Sequence, residues 1–387
     1  MIELTLMLLP VAAASGWYFA SKHYAGSSVK SSLDHASYFQ GLNYLVNNQS
    51  DKAIDVFVNL LEVDDESIEV HLALGTLFRK RGEVEKAIRL HQNLIARPEL
   101  SQKARLGILN ELGMDYMHAG LLDRAEALFI ELEKHHEYRL NCTKQLLSIY
   151  QQEKEWDNAI DYGIKLDSIN AASQQILLAH LYCERALQAR DEGDLKGAKN
   201  LLKKALKVDS LCIRSNLTNA QFALRESKYK AALDYLLNIK QQNIQFVPVF
   251  LDMYLQCYDE LNKPKEKFNF LATAEAEVES PIITKAFVSV LAEQKGSENA
   301  YVFIKNKLEQ KPSMANLLLF SDLSLAKEDS SNAVLFYKSL SSLNYAKLLF
   351  HCDKCGFDSE KLNWMCPSCK AWGAIQPVGF LDSKLWL

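Results

Sequence analysis

Leu74-Gly75-Thr76-Leu77-Phe78-Arg79-Lys80-Arg81-Gly82-Glu83-Val84-Glu85-Lys86-Ala87 is the stretch whose reading decides the fold. A glycine is followed three residues later by an aromatic and twelve later by an alanine, with the breaker Lys80-Arg81-Gly82 between two apolar-periodic runs. That is a pair of helices joined by a tight turn. Working outward, the alanine recurs as Ala53, Ala87, Ala125, Ala159, Ala198 and Ala232. The step is 34 residues from Ala53 to Ala87, from Ala125 to Ala159 and from Ala198 to Ala232; steps of 38 and 39 intervene. Further steps of 34 reach Glu266 and Ala300, and Ala333 follows after 33.

A 34-residue period with these small and aromatic positions is the tetratricopeptide pattern, so the expected fold class is all-α: a tetratricopeptide-repeat superhelix. Small residues at Gly75 and Ala87 are expected where paired helices cross closest, with Gly41 and Gly113 as counterparts of Gly75. Tyr44, Phe78, Tyr116 and Tyr150 are expected to fill the space beside them, and Phe57 and Phe129 to pack towards the next unit. About nine units start near Asp34, Ile68, Leu106, Leu140, Ala179, Ile213, Val247, Pro281 and Met314, the last three degenerate. Each exposes an apolar face that its neighbour covers. The array therefore spans residues 34–346, and no sheet is expected within it.

Two further segments flank the array. Ile2 to Ala20 is almost wholly apolar, with Glu3 as its one charge, and is about 28 Å long as a helix. Trp17-Tyr18 form an interface belt, and Lys22 and Lys30 follow. We read residues 1–21 as an uncleaved transmembrane helix, 22–33 as a juxtamembrane linker, and the bulk of the chain as cytoplasmic. Ala12, Gly16 and Ala20 make a small-residue stripe that suits a partner helix, and Pro10 is a candidate kink.

At the other end, Cys352-x-x-Cys355 and Cys366-x-x-Cys369 lie ten residues apart. Four thiolates in two knuckles are a ligand set for one metal ion, tetrahedral zinc or mononuclear iron, and require a reducing compartment. Residues 347–387 form a small domain that a metal must close, because some forty residues bury too little on their own. Thiolate binding supplies roughly 10–16 kcal/mol in comparable sites. Phe357, Trp364, Trp372 and Phe380 are expected to wrap the centre and dock it against the last helices, capping the open end of the stack. The spacer is shorter than that of electron carriers, which favours a structural or sensory role over electron transfer.

The remaining residues offer little chemistry. A net charge of −4, from 44 basic and 48 acidic residues without blocks, gives no reason to expect nucleic acid. Cys142, Cys183, Cys212 and Cys257 lie on helical segments without regular pairing and read as small apolar residues. His71, His91 and His180 read as packing or solvated residues, His135-His136 as a surface pair, and Asp64-Asp65-Glu66 as a solvated helix start. No nucleophile elbow, phosphate loop, dinucleotide fingerprint or zincin motif is present, so no enzyme is expected.

The ordered trio of anchor, repeats and knuckles resembles the lipopolysaccharide assembly protein B family of Gram-negative bacteria. The resemblance is carried by Leu8-Leu9-Pro10-Val11-Ala12-Ala13-Ala14 with Gly16-Trp17-Tyr18, by Leu77-Phe78-Arg79-x-Arg81-Gly82-Glu83-Val84 with Ala87-Ile88-Arg89, and by the tail. In the tail it runs from Cys352-x-x-Cys355-Gly356-Phe357 through Trp364 and Cys366-Pro367-Ser368-Cys369 to Ala371-Trp372. The resemblance implies a rubredoxin-like domain with Cys352, Cys355, Cys366 and Cys369 as metal ligands. It further implies an inner-membrane regulatory adaptor that promotes degradation of the lipid A pathway deacetylase by the membrane AAA+ zinc protease. A lipopolysaccharide-sensing inner-membrane protein would engage the anchor. A scaffold that gathers lipopolysaccharide-synthesis enzymes without controlling proteolysis is the alternative.

Overall fold

The computed structural model describes residues 15, 17–18, 39–41, 43–44, 47, 49–63, 68–169, 173–311, 313–325 and 346–382. Among them no helix is long and apolar enough to cross a membrane. The expected anchor, residues 1–21, lies outside the described residues except for Ser15, Trp17 and Tyr18, which are helical, and both aromatic side chains there are exposed. The linker, Asp64 to Glu66, Ala333 and the last five residues also lie outside.

Two compact units make up the chain, residues 1–154 and 155–387. The first holds α1 (Ser50–Val63), α2 (Ile68–Lys80), α3 (Val84–Ile95), α4 (Gln102–Ala119), α5 (Leu122–Leu132) and α6 (His136–Glu153). In the second are α7 (Trp156–Ile169), α8 (Gln175–Asp191), α9 (Leu195–Val208), α10 (Ile213–Arg225) and α11 (Tyr229–Gln242). Two 3-10 turns follow, Ile244–Phe246 and Pro248–Phe250, and then α12 (Leu251–Glu260), α13 (Pro264–Glu277), α14 (Pro281–Lys295), α15 (Ser297–Gln310) and α16 (Met314–Leu325). No strand lies among the described residues of 39–325; the three strands, all C-terminal, are β1 (Ala346–Cys352), β2 (Asp358–Ser359) and β3 (Ile375–Asp382).

Periodicity in the sequence becomes periodicity in burial. Ala53, Ala87, Ala125, Ala159, Ala198, Ala232 and Ala300 are all fully buried. Five residues before the alanine, the turn adopts a left-handed conformation at Gly82, Gly120, Lys154, Gly193 and Ser227. Where the sequence supplies no glycine there, the fold imposes that backbone on a lysine or a serine, at a cost near 1–2 kcal/mol per residue.

The close approach within a pair is made by one ring against one glycine. Phe57 and Phe129 each lie against the glycine of their own first helix, and Phe57 also shares a buried cluster with Val70, Leu74 and Leu77 of the next unit, as expected. A Cβ on Gly113 would stand 2.9 Å from the Phe129 ring, and one on Gly41 would stand 2.7 Å from Phe57. Both rings sit four residues after the alanine, one helical turn along the same face. In the second unit of the array His91 takes that position, and a Cβ on Gly75 would collide with its Nε2.

The imidazole of His91 is fully buried, and its Nδ1 lies 2.6 Å from Asp115 Oδ2 on α4. Asp115 also accepts from Arg79 at 2.6 Å, and Arg79 bridges to Glu111 at 2.6 Å, which in turn accepts from Thr76. An uncompensated buried carboxylate would be strongly destabilising, so the network binds α2, α3 and α4 into one register. The motif residue Arg79 is thus a structural tie among three helices.

Gly113→Ala is expected to lower stability by about 1–3 kcal/mol, because neither the Phe129 ring nor the α4 backbone has room to yield. A denaturant titration of the purified chain checks it; an unchanged midpoint contradicts the close approach.

Candidate metal centre and its seat on the repeats

The two knuckles repeat one backbone design. Cys352 N–H donates to Phe357 O and Gly356 N–H to Cys352 O, each at 2.9 Å. Cys366 N–H donates to Ala371 O and Lys370 N–H to Cys366 O, again at 2.9 Å. In both, the residue after the second cysteine is left-handed: Gly356 at φ 75° and Lys370 at φ 60°. Such loops turn backbone N–H groups towards the first sulfur. Burial resists ionisation of Cys366, but the N–H groups of Cys369 and Ser368, together with the Cys352 and Cys355 thiols, overcome it and bring the thiol down to about 7.

A three-stranded antiparallel sheet, ordered β2-β1-β3, sets the knuckles against each other. Cys352 ends β1 and pairs with Ile375 at the start of β3, and a lone bridge joins Met365 to Trp372. All four sulfurs lie within 4.8 Å of one another. The Cys352–Cys369 and Cys355–Cys366 separations are 3.7 Å. A tetrahedron with metal–sulfur bonds of about 2.3 Å has edges of about 3.8 Å, so the donor set fits one zinc or iron ion. Cys352 and Cys366 are buried while Cys355 and Cys369 face solvent.

The ribbon does not cap the end of the stack. It sits on the middle of the second unit, against α8, α10 and the 3-10 turns that precede α12. His180 of α8 stacks on Trp372, with centroids 5.3 Å apart, and lies 6.0 Å from Trp364. Arg214 of α10 places its guanidinium 6.0 Å from the Trp364 ring centroid and 5.8 Å from that of Trp372. Trp364 is nearly parallel to Phe246, with centroids 6.4 Å apart. Asn243 donates to Gln376 at 3.3 Å, and Val249 packs against the cluster of Phe350, Cys352, Cys366 and Ile375.

Gly373 has two reasons to be glycine: its φ is 63°, and a Cβ there would come within 3.0 Å of His180 Nε2 and Ile176. The expectation of docking against the last helices is therefore corrected. Irregular backbone at 244–250 and the side chains of α8 and α10 form a receptive surface more than a hundred residues earlier. Phe357 packs on the ribbon's own core, and the side chain of Phe380 lies outside the described residues.

His180, which the sequence presents as a packing or solvated residue, is the centre of this contact. Burial, and then the nearby Arg214 charge, push it down to about 3, so it stands neutral between the indoles. Arg214 is held from the other side by Glu184 at 2.9 Å.

A family model described as "Rubredoxin metal binding domain" matches residues 350–377, and one described as "Tetratricopeptide repeat" matches residues 70–103. Lipopolysaccharide assembly protein B of Escherichia coli (strain K12) is 36% identical over 391 residues, covering 99% of this chain and 100% of the relative. The chain belongs to the lipopolysaccharide assembly protein B family. The protein of that name from Haemophilus influenzae is 34% identical over 394 residues, 98% of each chain. Among solved structures, the PilF protein of Pseudomonas aeruginosa is 21% identical and covers 60% of this chain and 99% of its own, with a TM-score of 0.35. The C-terminal part of a repeat-containing protein from Cytophaga hutchinsonii is 14% identical, covers 68% of this chain and 98% of its own, and scores 0.41. In this member of the family, then, a thiol cage of metal-binding geometry is built into a ribbon that the repeats hold by aromatic and cationic side chains.

Two outcomes follow from the geometry. Cys366→Ser opens the cage at its buried corner, so the purified chain should carry well under one metal equivalent and its residues 346–382 should become protease-sensitive. Full metal content with an intact ribbon contradicts the ligand assignment. The second concerns pH. His180 has a folded pKa near 3 against about 6.5 unfolded, so the unfolded chain binds the extra proton between those values. Its stabilisation is complete above pH 6.5 and falls as pH drops towards 3, with a slope approaching about 1.4 kcal/mol per pH unit. Denaturant midpoints between about pH 6.5 and 5.5 should fall more steeply for the natural chain than for His180→Gln. Parallel slopes contradict a buried neutral imidazole.

Proposed function

We propose that this protein restrains lipopolysaccharide synthesis as an adaptor that acts through binding rather than through catalysis. The observation that carries this reading is the relationship to proteins named lipopolysaccharide assembly protein B across essentially the whole of both chains. A role in lipopolysaccharide biosynthesis follows from that kinship. Our finer reading is that the adaptor presents the lipid A pathway deacetylase to the membrane AAA+ zinc protease. The apolar N-terminal stretch, residues 1–21, tethers the chain in the inner membrane with its bulk in the cytoplasm and receives a lipopolysaccharide-sensing membrane protein.

The physical argument is one of concentration. A tether confines the gripping surface to the neighbourhood of a membrane protease, which raises the effective concentration of a captured client without any new contact. Repeat arrays bind through the faces of their first helices. In the second unit the ribbon covers the α8 and α10 part of such a face. We therefore assign client capture to the ribbon's outward surface together with the repeats beside it. A metal ion at the site supplies the cross-link that a fold of this size lacks. The chain's own residues do the rest: the knuckles fix Trp364 and Trp372, and these grip His180 and Arg214.

The word "assembly" in the relatives' name favours a second reading, a scaffold that gathers synthesis enzymes without touching their turnover. One experiment separates the two. In a host strain lacking the protein, the deacetylase half-life is measured by pulse-chase, with the full chain and a form without residues 1–20 as complements. The adaptor reading expects a prolonged half-life, restored by the full chain and restored little or not at all by the untethered form. An unchanged half-life with dispersed synthesis enzymes supports the scaffold, and full rescue by the untethered form contradicts the tether.

A further inference from the structure

Four cysteines lie outside the cage, and two of them are not like the others. Cys142 and Cys257 are buried singly in helical cores, and burial pushes both thiols up to about 11. Such thiols are inert. Cys183 on α8 and Cys212 at the N-cap of α10 instead face each other, with sulfurs 3.9 Å apart. Both are buried, Cys183 completely and Cys212 at 3% exposure. We propose that Cys183 and Cys212 form a peroxide-oxidisable dithiol, and that its disulfide state loosens the ribbon from the repeats.

The chemistry favours Cys212 as the attacking sulfur. A hydrogen bond with Cys183 lowers its pKa, burial opposes the shift, and the N–H of Ser215 in the first turn of α10 lowers it further. Cys183 is raised for the complementary reason, by the same hydrogen bond and by its burial in an apolar site. The Cys212 thiolate attacks one oxygen of hydrogen peroxide; the O–O bond breaks, and the departing hydroxide takes up a proton as water. That leaves a sulfenic acid on Cys212. Cys183 sulfur then attacks the sulfenyl sulfur, the S–S bond forms, and the expelled hydroxide leaves with the Cys183 proton as a second water. Two thiols are oxidised and one peroxide is reduced; a dithiol reductant reverses the bridge by exchange. In a reducing compartment such a pair is more often a sensor than a structural bond.

The position of the pair makes its state matter. His180 lies one turn before Cys183 on α8, and Arg214 lies two residues after Cys212 on α10. These are the residues that hold Trp372 and Trp364. Glu184, next to Cys183, anchors Arg214 across the same gap at 2.9 Å. A disulfide is about 2.0 Å long, so the sulfurs must close by about 1.9 Å from their 3.9 Å separation. Interiors this tightly packed do not absorb such a shift locally. Moving the head of α10 against α8 displaces the guanidinium from rings that it meets at 5.8 and 6.0 Å, the outer limit of a useful cation–π contact.

The test uses the full-length, metal-loaded protein, treated with hydrogen peroxide and then alkylated. Peptide mapping should find the 183–212 disulfide while the cage keeps its metal. Proteolysis within 346–382 should quicken about tenfold, the scale of one lost cation–π contact, and dithiothreitol should reverse both changes. Cys183→Ser should give a sulfenic acid at Cys212 without a bridge, and its ribbon should stay protected under peroxide. If that variant fails to fold, the mapping and its reversal in the natural chain still decide. Overoxidation of Cys212 without a bridge, a pair that reacts only after unfolding, or a bridge that leaves proteolysis of the ribbon unchanged would each overturn the proposal.

Discussion

Two indoles, Trp364 and Trp372, closing on one imidazole and one guanidinium are the contact on which the seating of the ribbon depends. Each aromatic or cation–π pairing is worth about 0.5–2 kcal/mol when buried, so the seat as a whole is worth only a few. That is enough to hold a folded ribbon in one place and far too little to fold it. Some forty residues cannot order themselves by burial, so the order of causes runs from thiol closure to indole placement to docking. Loss of the cage removes the last two with the first.

The first unit solves a different problem with different means. Where Phe57 and Phe129 fill the gap over a glycine by apolar packing alone, His91 fills it as a polar group and must then be satisfied by Asp115. Asp115 in turn requires Arg79, and Arg79 requires Glu111. A single substitution of ring type at one repeat position thus recruits a buried network across three helices. Such networks are poor sources of net stability but tolerate no missing member, which makes them good markers of register.

How much of this was legible in the residues depends on the range of each interaction. Repeat positions such as Ala87, Ala125 and Ala198 were legible because burial follows a local period that a one-dimensional string preserves. The cage was legible because its chemistry fixes both ligand type and short-range spacing, and the four sulfurs do gather within 4.8 Å. The seat was not: Trp364 and Phe246, or Asn243 and Gln376, are more than a hundred residues apart, and no periodicity links them. His180 carried no signal that separates a core histidine from a docking residue, since both occupy a buried helical face. The Cys183–Cys212 meeting was hidden for a related reason. The two lie 29 residues apart, off the repeat period, and only the packing of α8 beside α10 brings their sulfurs together. The contact of Phe57 and Phe129 with the glycine of their own first helix was not legible, because spacing along a helix tells which face a ring shares, but not every neighbour that face meets.

Amide hydrogen exchange over α8 and α10 in the full chain, before and after the metal is stripped by a chelator, tests the central claim most directly. If the closed cage holds the ribbon on the repeats, stripping should speed exchange around His180 and Arg214 while α2 to α5 keep their protection. Equal protection at His180 and Arg214 in the two states would contradict the account, because the seat would then stand without the cage.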